Sequence, residues 1–195
     1  MSKNVKRIIV IAAIAIAVLF CITSYNSLVS KQESIDNAWG QVETNYQRRA
    51  DLIPNLVSTV KGYAAHESST LESVVEARSK AMGLHIDADN LTDAQLAKFQ
   101  GAQDELGKAL GRLIAVSEAY PDLKANQNFL DLQAQLEGTE NRINVARMDF
   151  NNAVKAYNTS IRKFPSSILA SLFGFEKRAY FAAAEGAEEA PKVEF

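Results

Sequence analysis

Apolar residues follow two rhythms along this chain. From Ile8 to Ile22 they are unbroken, IIVIAAIAIAVLFCI, and from Tyr25 onward they recur every three or four positions. The second rhythm is that of helices burying one stripe. It forms four runs. The first is Tyr25, Leu28, Gln32, Ile35, Trp39, Val42 and Tyr46, with no proline between it and the apolar stretch. The second runs from Ile53 through Leu56, Val60, Leu71 and Val74 to Met82. A polar loop, Gly83 to Thr92, follows, and Thr92-Asp-Ala-Gln95 has the form of a capping box. The third run is Leu96, Phe99, Leu106, Leu110, Leu113 and Tyr120, stopped by Pro121. The fourth, from Phe129 to Phe164 before Pro165, spans over about 50 Å at 1.5 Å per residue. Four apolar seams on short links predict an all-α, up-and-down four-helix bundle, its first helix continuous with the N-terminal apolar helix. A coiled-coil dimer is the alternative for the fourth run alone.

RRADLIPNLV, Arg48 to Val57, divides the first run from the second. Two arginines suit a helix C-terminus, Asp51 suits the next N-terminus, and Pro54 is tolerated in a first turn. This stretch is expected to be a turn, with a kinked single helix as the alternative because Arg49 falls on the seam.

The N-terminal stretch reaches roughly the 20 residues that span a bilayer when Thr23 to Val29 extend it. Lys3, Lys6 and Arg7 precede it and only Lys31 follows closely, so the N-terminus is expected in the cytoplasm and the rest outside. That makes the chain a single-pass membrane protein with its domain outside; the cell inner membrane and a periplasmic domain are what the bacterial resemblance given below adds to this expectation. A cleaved signal peptide and a lipoprotein at Cys21 are the rivals. The first needs small residues at a cleavage site and the second a small residue before the cysteine; Phe20 and Ile22 flank Cys21 instead.

Composition adds limits. The net charge is −2 with no basic face, which argues against general nucleic-acid binding. A single cysteine excludes an intrachain disulfide.

Several spaced motifs resemble the LemA family. They are Tyr25-Asn-Ser-Leu-Val29, Ala38-Trp39, the Arg48–Val57 stretch, Lys61-Gly-Tyr-Ala-Ala-His-Glu67 and Glu118-Ala-Tyr-Pro-Asp-Leu-Lys124. They continue as Thr139-Glu-Asn-Arg-Ile143, Ala146-Arg147, Tyr157-Asn158, Phe164-Pro165 and Gly174-Phe175. The resemblance implies a bacterial membrane-anchored protein with a four-helix up-and-down domain, linked with the cell envelope or with internal membranes. It implies no reaction, since the family has no agreed activity.

These readings divide the chain into a cytoplasmic N-terminus (1–7), a bilayer anchor (8–27) and a four-helix domain (28–164). An apolar segment packing on the bundle or the membrane surface (165–182) and a flexible acidic tail (183–195) complete it. The topology gathers Arg48, Arg49, Asp51, Asn55, Glu118, Tyr120, Asp122 and Lys124 at the end farthest from the membrane. That tip either caps helices or binds a partner, another envelope protein or a second copy. A mid-bundle layer is expected where Gly62, Gly107 or Gly111 makes room for the Trp39 ring. A polar stripe on the fourth helix, Glu140, Asn144, Arg147, Asn151 and Asn158, is either solvated or an internal network partnered by Arg49, Lys61 and His66. Segment 166–181 either packs as a short helix on the open end or lies in the bilayer interface.

Candidate chemistry is sparse. His66-Glu67 lacks the second histidine of a helical zinc motif, with Thr70 there instead, and Tyr63 and Met82 stand where a di-iron motif needs glutamates before His66 and His85. No metal or cofactor is expected. A non-enzymatic adaptor or scaffold, binding another envelope protein or itself through the tip and the long helix faces, is the first reading, and an envelope enzyme or metal binder using Glu67 and Glu140 is the second. Val193-Glu-Phe195 has the form taken by carboxylate-binding grooves, or is an incidental ending.

Overall fold

The computed structural model describes residues 2–84, 86 and 91–182. His85, Asp87, Asp89 and Asn90 of the polar loop lie outside the described residues, as does the tail with Val193 and Phe195. Most of the described residues are helical, with no strand among them. In order they form α1 (Lys3–Tyr63), α2 (Ser68–Met82), α3 (Asp93–Val116), a 3-10 turn (Ser117–Ala119), α4 (Pro121–Lys124), α5 (Gln127–Arg162) and α6 (Ser166–Leu172).

α1 is a single helix of 61 residues, about 92 Å long. Its apolar stretch from Ile8 to Ile22 is exposed throughout apart from half-buried Cys21, and is long and apolar enough to cross a membrane. From Leu28 the same helix buries Ile35, Trp39, Val42, Tyr46, Arg49, Ile53, Leu56 and Val60. These steps of three and four pass through Arg49 without a break.

The expected turn at Arg48–Val57 is therefore absent, and the chain turns at Ala64–Glu67 instead. The reason is a contact from α2. Pro54 has no N–H, so the carbonyl of Ala50, four residues back, loses its helical partner. Arg78 of α2 supplies one, its Nε donating to the Ala50 oxygen at 2.8 Å. Asp51 caps nothing and accepts from Gln47 Nε2 one turn earlier, at 2.7 Å.

α2 descends α1, burying Leu71, Val74, Ala77 and Ala81. The capping box forms as expected: the Gln95 N–H donates to Thr92 Oγ1, and the Thr92 N–H donates to Gln95 Oε1. α3 then climbs antiparallel to α2, with Lys80 against Glu105 near one end and Glu67 against Tyr120 near the other. α5, capped by Asn126, descends antiparallel to α1. Tyr63 meets Asn126 at the tip, Arg49 meets Glu140 midway, and Trp39 meets Phe150 lower down. The end at Tyr63 is the tip, and the end at Leu28 is the basal end.

Beyond α6 the chain reverses at Gly174, whose φ of +73° is a conformation natural to glycine. Residues 175–182 then run extended back along α5. Half of segment 166–181 is thus a helix on the basal end, and the other half is a strap.

Two buried clusters result. The basal cluster contains Trp39, Tyr46, Phe99, Phe150, Tyr157 and Phe181 among smaller side chains. The distal cluster is aliphatic, with Leu52, Leu56, Leu106, Leu113 and Leu123 around Phe129. Trp39 is buried, but not by glycine. Its ring lies against Phe99 (5.3 Å), Phe150 (5.7 Å) and Phe181 (6.0 Å, stacked). A Cβ added at Gly62, Gly107 or Gly111 would meet nothing within 4 Å. Gly62 sits at the tip because α1 runs on past the expected turn, far above the Trp39 layer.

Candidate functional site

Three arrangements of polar side chains stand out, at successive heights on α5. The lowest holds the strap. Asn158, buried, donates through Nδ2 to the Arg178 carbonyl and accepts from the Arg178 N–H through Oδ1, both at 2.9 Å. Asn151 holds Phe181 in the same two-point way, at 3.2 and 2.9 Å. Seven residues of helix rise about 10.5 Å and three of extended chain about 10 Å, so the spacing of these asparagines matches the strap. The Ala182 carbonyl then accepts from Arg147 on α5 and Gln100 on α3. Alternation does the rest: Ala179 and Phe181 point inward and are buried, while Tyr180 and Ala182 face out. The Arg147 guanidinium lies over the Phe181 ring at 4.8 Å.

The polar stripe on α5 is therefore mostly a strap clamp. Arg147, Asn151 and Asn158 belong to it, whereas Asn144 stays exposed. Lys61 and His66 do not join. Both are exposed and flank Tyr63, which bonds the start of α5, about 20 Å from Glu140 along that helix. For these two the expectation failed because it let the second helix begin at Ile53, whereas Arg49, the third expected partner, does pair with Glu140 of the stripe.

The middle arrangement centres on Arg49, whose side chain is 6% exposed. Nη1 pairs with Glu140 Oε2 at 2.9 Å, and Nη2 donates to the Gln103 side-chain and main-chain oxygens at 2.7 and 3.1 Å. The charge is thus taken out of water with three acceptors around it, and Arg49 ties α1 to both α3 and α5. It also lies over the Tyr46 ring, at 5.1 Å. Burial raises the Tyr46 pKa, against the lowering effect of Arg147 and Arg49. Above this group, a cleft of about 520 Å³ opens between α3 and α5, with Gly107, Gly111, Leu110, Ile114 and Leu136 on its walls.

The highest arrangement is the tip. Tyr120 donates to Glu67 at 3.1 Å, which raises the Tyr120 pKa. Asn126 donates to Tyr63 at 2.9 Å, and Lys124 pairs with Glu118. Asp122 is exposed on α4.

Four residues expected at the tip sit lower. Arg48 donates to Gln135 at 3.3 Å, about two turns down α5 from its start. Arg49 is buried in the middle group, Asp51 pairs within α1, and the Asn55 carbonyl accepts from Thr59. Continuity of α1 past Pro54 moves all four down. Glu118, Tyr120, Asp122 and Lys124 are at the tip, where Glu67, Tyr63 and Asn126 join them. Both carboxylates considered for catalysis have structural partners: Tyr120 for Glu67 and Arg49 for Glu140. Among the described residues, no group of three or more His, Cys, Asp or Glu is placed to hold a metal ion.

Comparison with known proteins agrees with the resemblance in the sequence. The chain is 31% identical over 174 residues to magnetosome protein MamQ of Magnetospirillum gryphiswaldense, covering 80% of this chain and 64% of that protein. It is 29% identical over 176 residues to magnetosome protein MamQ 2 of Paramagnetospirillum magneticum, with the same coverage. The chain thus spans under two thirds of the length of these relatives. Protein LemA of Metamycoplasma hominis is 26% identical over 160 residues, covering 82% of this chain and 69% of the relative. None of these names is that of an enzyme. The model of the LemA family matches residues 38–195, all but the first ten residues of the helical domain and everything after it, and the chain belongs to that family.

Proposed function

We propose that the protein is a membrane-anchored, non-enzymatic helical scaffold of the bacterial cell envelope. In this reading residues 8–27 cross the inner membrane once, residues 1–7 stay in the cytoplasm, and an up-and-down four-helix domain, residues 28–164, stands in the periplasm. It engages another envelope protein, or a second copy of itself, through the tip. The observation that carries this reading is the continuity of α1. One helix supplies the exposed apolar stretch and the central seam of the domain, then ends at the tip. A body built this way holds its far end at a set distance from a bilayer.

The tip suits contact because its polar groups are pre-positioned, Lys124 and Glu118 exposed and Tyr120 and Glu67 half-buried. Tyr120 is paired with Glu67 and Lys124 with Glu118, so less side-chain freedom is lost on binding.

Photo-crosslinking in cells tests the reading. A photoreactive residue at Asp122 is expected to give a discrete protein adduct, and one at Lys155, on the exposed side of α5, is not. Absence of any Asp122 adduct, with the chain in the membrane, removes the tip as the contact. Reporters active on only one side of the membrane, fused to each terminus, test the orientation. An active periplasmic reporter at the N-terminus reverses it.

A further inference from the structure

α6 is apolar on two sides. Leu169 and Ala170 are 8% and 2% exposed, packed on the domain. Phe164, Ile168, Leu172 and Phe173 are 82%, 61%, 73% and 52% exposed. Ile168 and Leu172 lie one turn apart on the same helix face. Ser167 and Ser171 take a third side; an apolar face left open beside a packed one marks a contact with protein or lipid, and among the described residues nothing covers this outer face.

Its height on the molecule is fixed by aromatic contacts. The Tyr25 ring meets Phe173 at 5.1 Å and Phe175 at 5.7 Å, both edge-on. Tyr25 lies about one helical turn past Ile22, where the exposed apolar stretch of α1 ends. The outer face of α6 is thus level with the point where α1 changes from apolar to polar surroundings. Polar groups are layered to match. A cleft beside it, between α1 and the end of α5, has Leu28 at its base and is otherwise lined by Thr23, Ser24, Ser27, Ser160, Lys163 and Ser166. Hydroxyls, an ammonium and a tyrosine ring are the groups that suit the headgroup layer.

We propose that α6 is a second membrane contact. Phe164, Ile168, Leu172 and Phe173 enter the boundary between headgroups and acyl chains of the bilayer that α1 crosses, with Lys163 facing the phosphate layer. This rests on the anchoring proposed above. A lone spanning helix is free to tilt and rotate, and flanking anchors limit both. With α6 seated on the bilayer surface, α1 keeps one tilt and one rotation, and the domain above it keeps one orientation.

The test uses the full chain carrying Cys21→Ala, reconstituted in vesicles of phosphatidylcholine and phosphatidylglycerol. A single polarity-sensitive fluorophore is placed at Ile14→Cys, Ile168→Cys, Leu172→Cys or Asp131→Cys. Ile168 and Leu172 are exposed, so labelling them leaves the fold intact. Lipids brominated along the acyl chains are expected to quench Ile168, Leu172 and the Ile14 probe in the span. Iodide in the buffer is expected to quench Asp131 alone. Iodide quenching at Ile168 and Leu172 without quenching by brominated lipid overturns the proposal. Protection from both quenchers also overturns it, because protein, such as a second copy, then covers the face. The Ile14 probe separates the two levels: brominated-lipid quenching there but not at α6 discards the interfacial contact alone, while iodide quenching at Ile14 discards the anchoring as well.

Discussion

The basal and distal halves of the domain share the same helices and are closed differently. In the basal half, the space between α3 and α5 is filled by the strap. Phe181 packs against both Trp39 and Phe150, and Gln100 and Arg147 both donate to the Ala182 carbonyl. In the distal half nothing among the described residues fills that space, and the cleft over Gly107 and Gly111 remains. Core chemistry follows the same division, aromatic below and aliphatic above. An extended segment carries its own backbone polar groups into the protein, and each needs a partner. The basal half meets that demand with asparagines, arginine and glutamine. The distal half makes no such demand and needs only turns and caps.

The sharpest way to break this comparison is Phe181→Ala. It empties a buried aromatic site and frees the strap, and is expected to cost about 3–5 kcal/mol. Denaturant unfolding of the full chain, followed by Trp39 emission, measures it. A loss well under 1 kcal/mol would mean the strap is decoration. Next is Asn158→Ala, which leaves the Arg178 N–H and carbonyl without the side chain that pairs both. About 1–3 kcal/mol is expected, with faster amide exchange at Arg178 and Phe181 but not at the tip. Exchange rising equally at both ends would show that the halves are not separable.

A distal counterpart is Arg78→Ala, which orphans the Ala50 carbonyl, for about 1–2 kcal/mol in this half-buried setting. Its cost should shrink in a Pro54→Ala background, where residue 54 regains an N–H for Ala50. An unchanged cost across that double-mutant cycle rules out the proline as the reason for the bond.

The smallest effect is expected from pH. Burial raises the pKa values of Tyr46 and Tyr157. The folded state therefore holds these protons more tightly than the unfolded chain. Their contribution is complete below the unfolded value near 10 and is lost as pH rises through the folded values. Thermal unfolding scanned upward from neutral pH should show a falling Tm only beyond about pH 10. Tyr46→Phe should flatten part of that fall.

The seams, the capping box at Thr92 and the stop at Pro121 were legible because each is written within a few residues. The continuity of α1 was half legible. The three-four rhythm runs through Arg49, but Pro54 between charged and polar neighbours signals a boundary, and the residue that removes it, Arg78, is distant in sequence. The strap was hidden for a similar reason. The stripe of polar residues on α5 was visible, but bonds from asparagine to backbone leave no mark on the sequence of the segment they hold. A period-two pattern at Ala179 and Phe181 was the available signal, and it spans too few residues to stand alone.

Under the proposed anchoring, the length of α1 acquires a meaning of its own. From Tyr25, level with the bilayer surface, to Tyr63 the helix climbs about 57 Å. It has no loop, and the carbonyl freed at its one proline is taken up by Arg78. It works as a gauge: a partner must reach that height to be met at all. Each residue inserted or deleted below the strap clamp would change the height by about 1.5 Å and turn the tip about 100° around the axis.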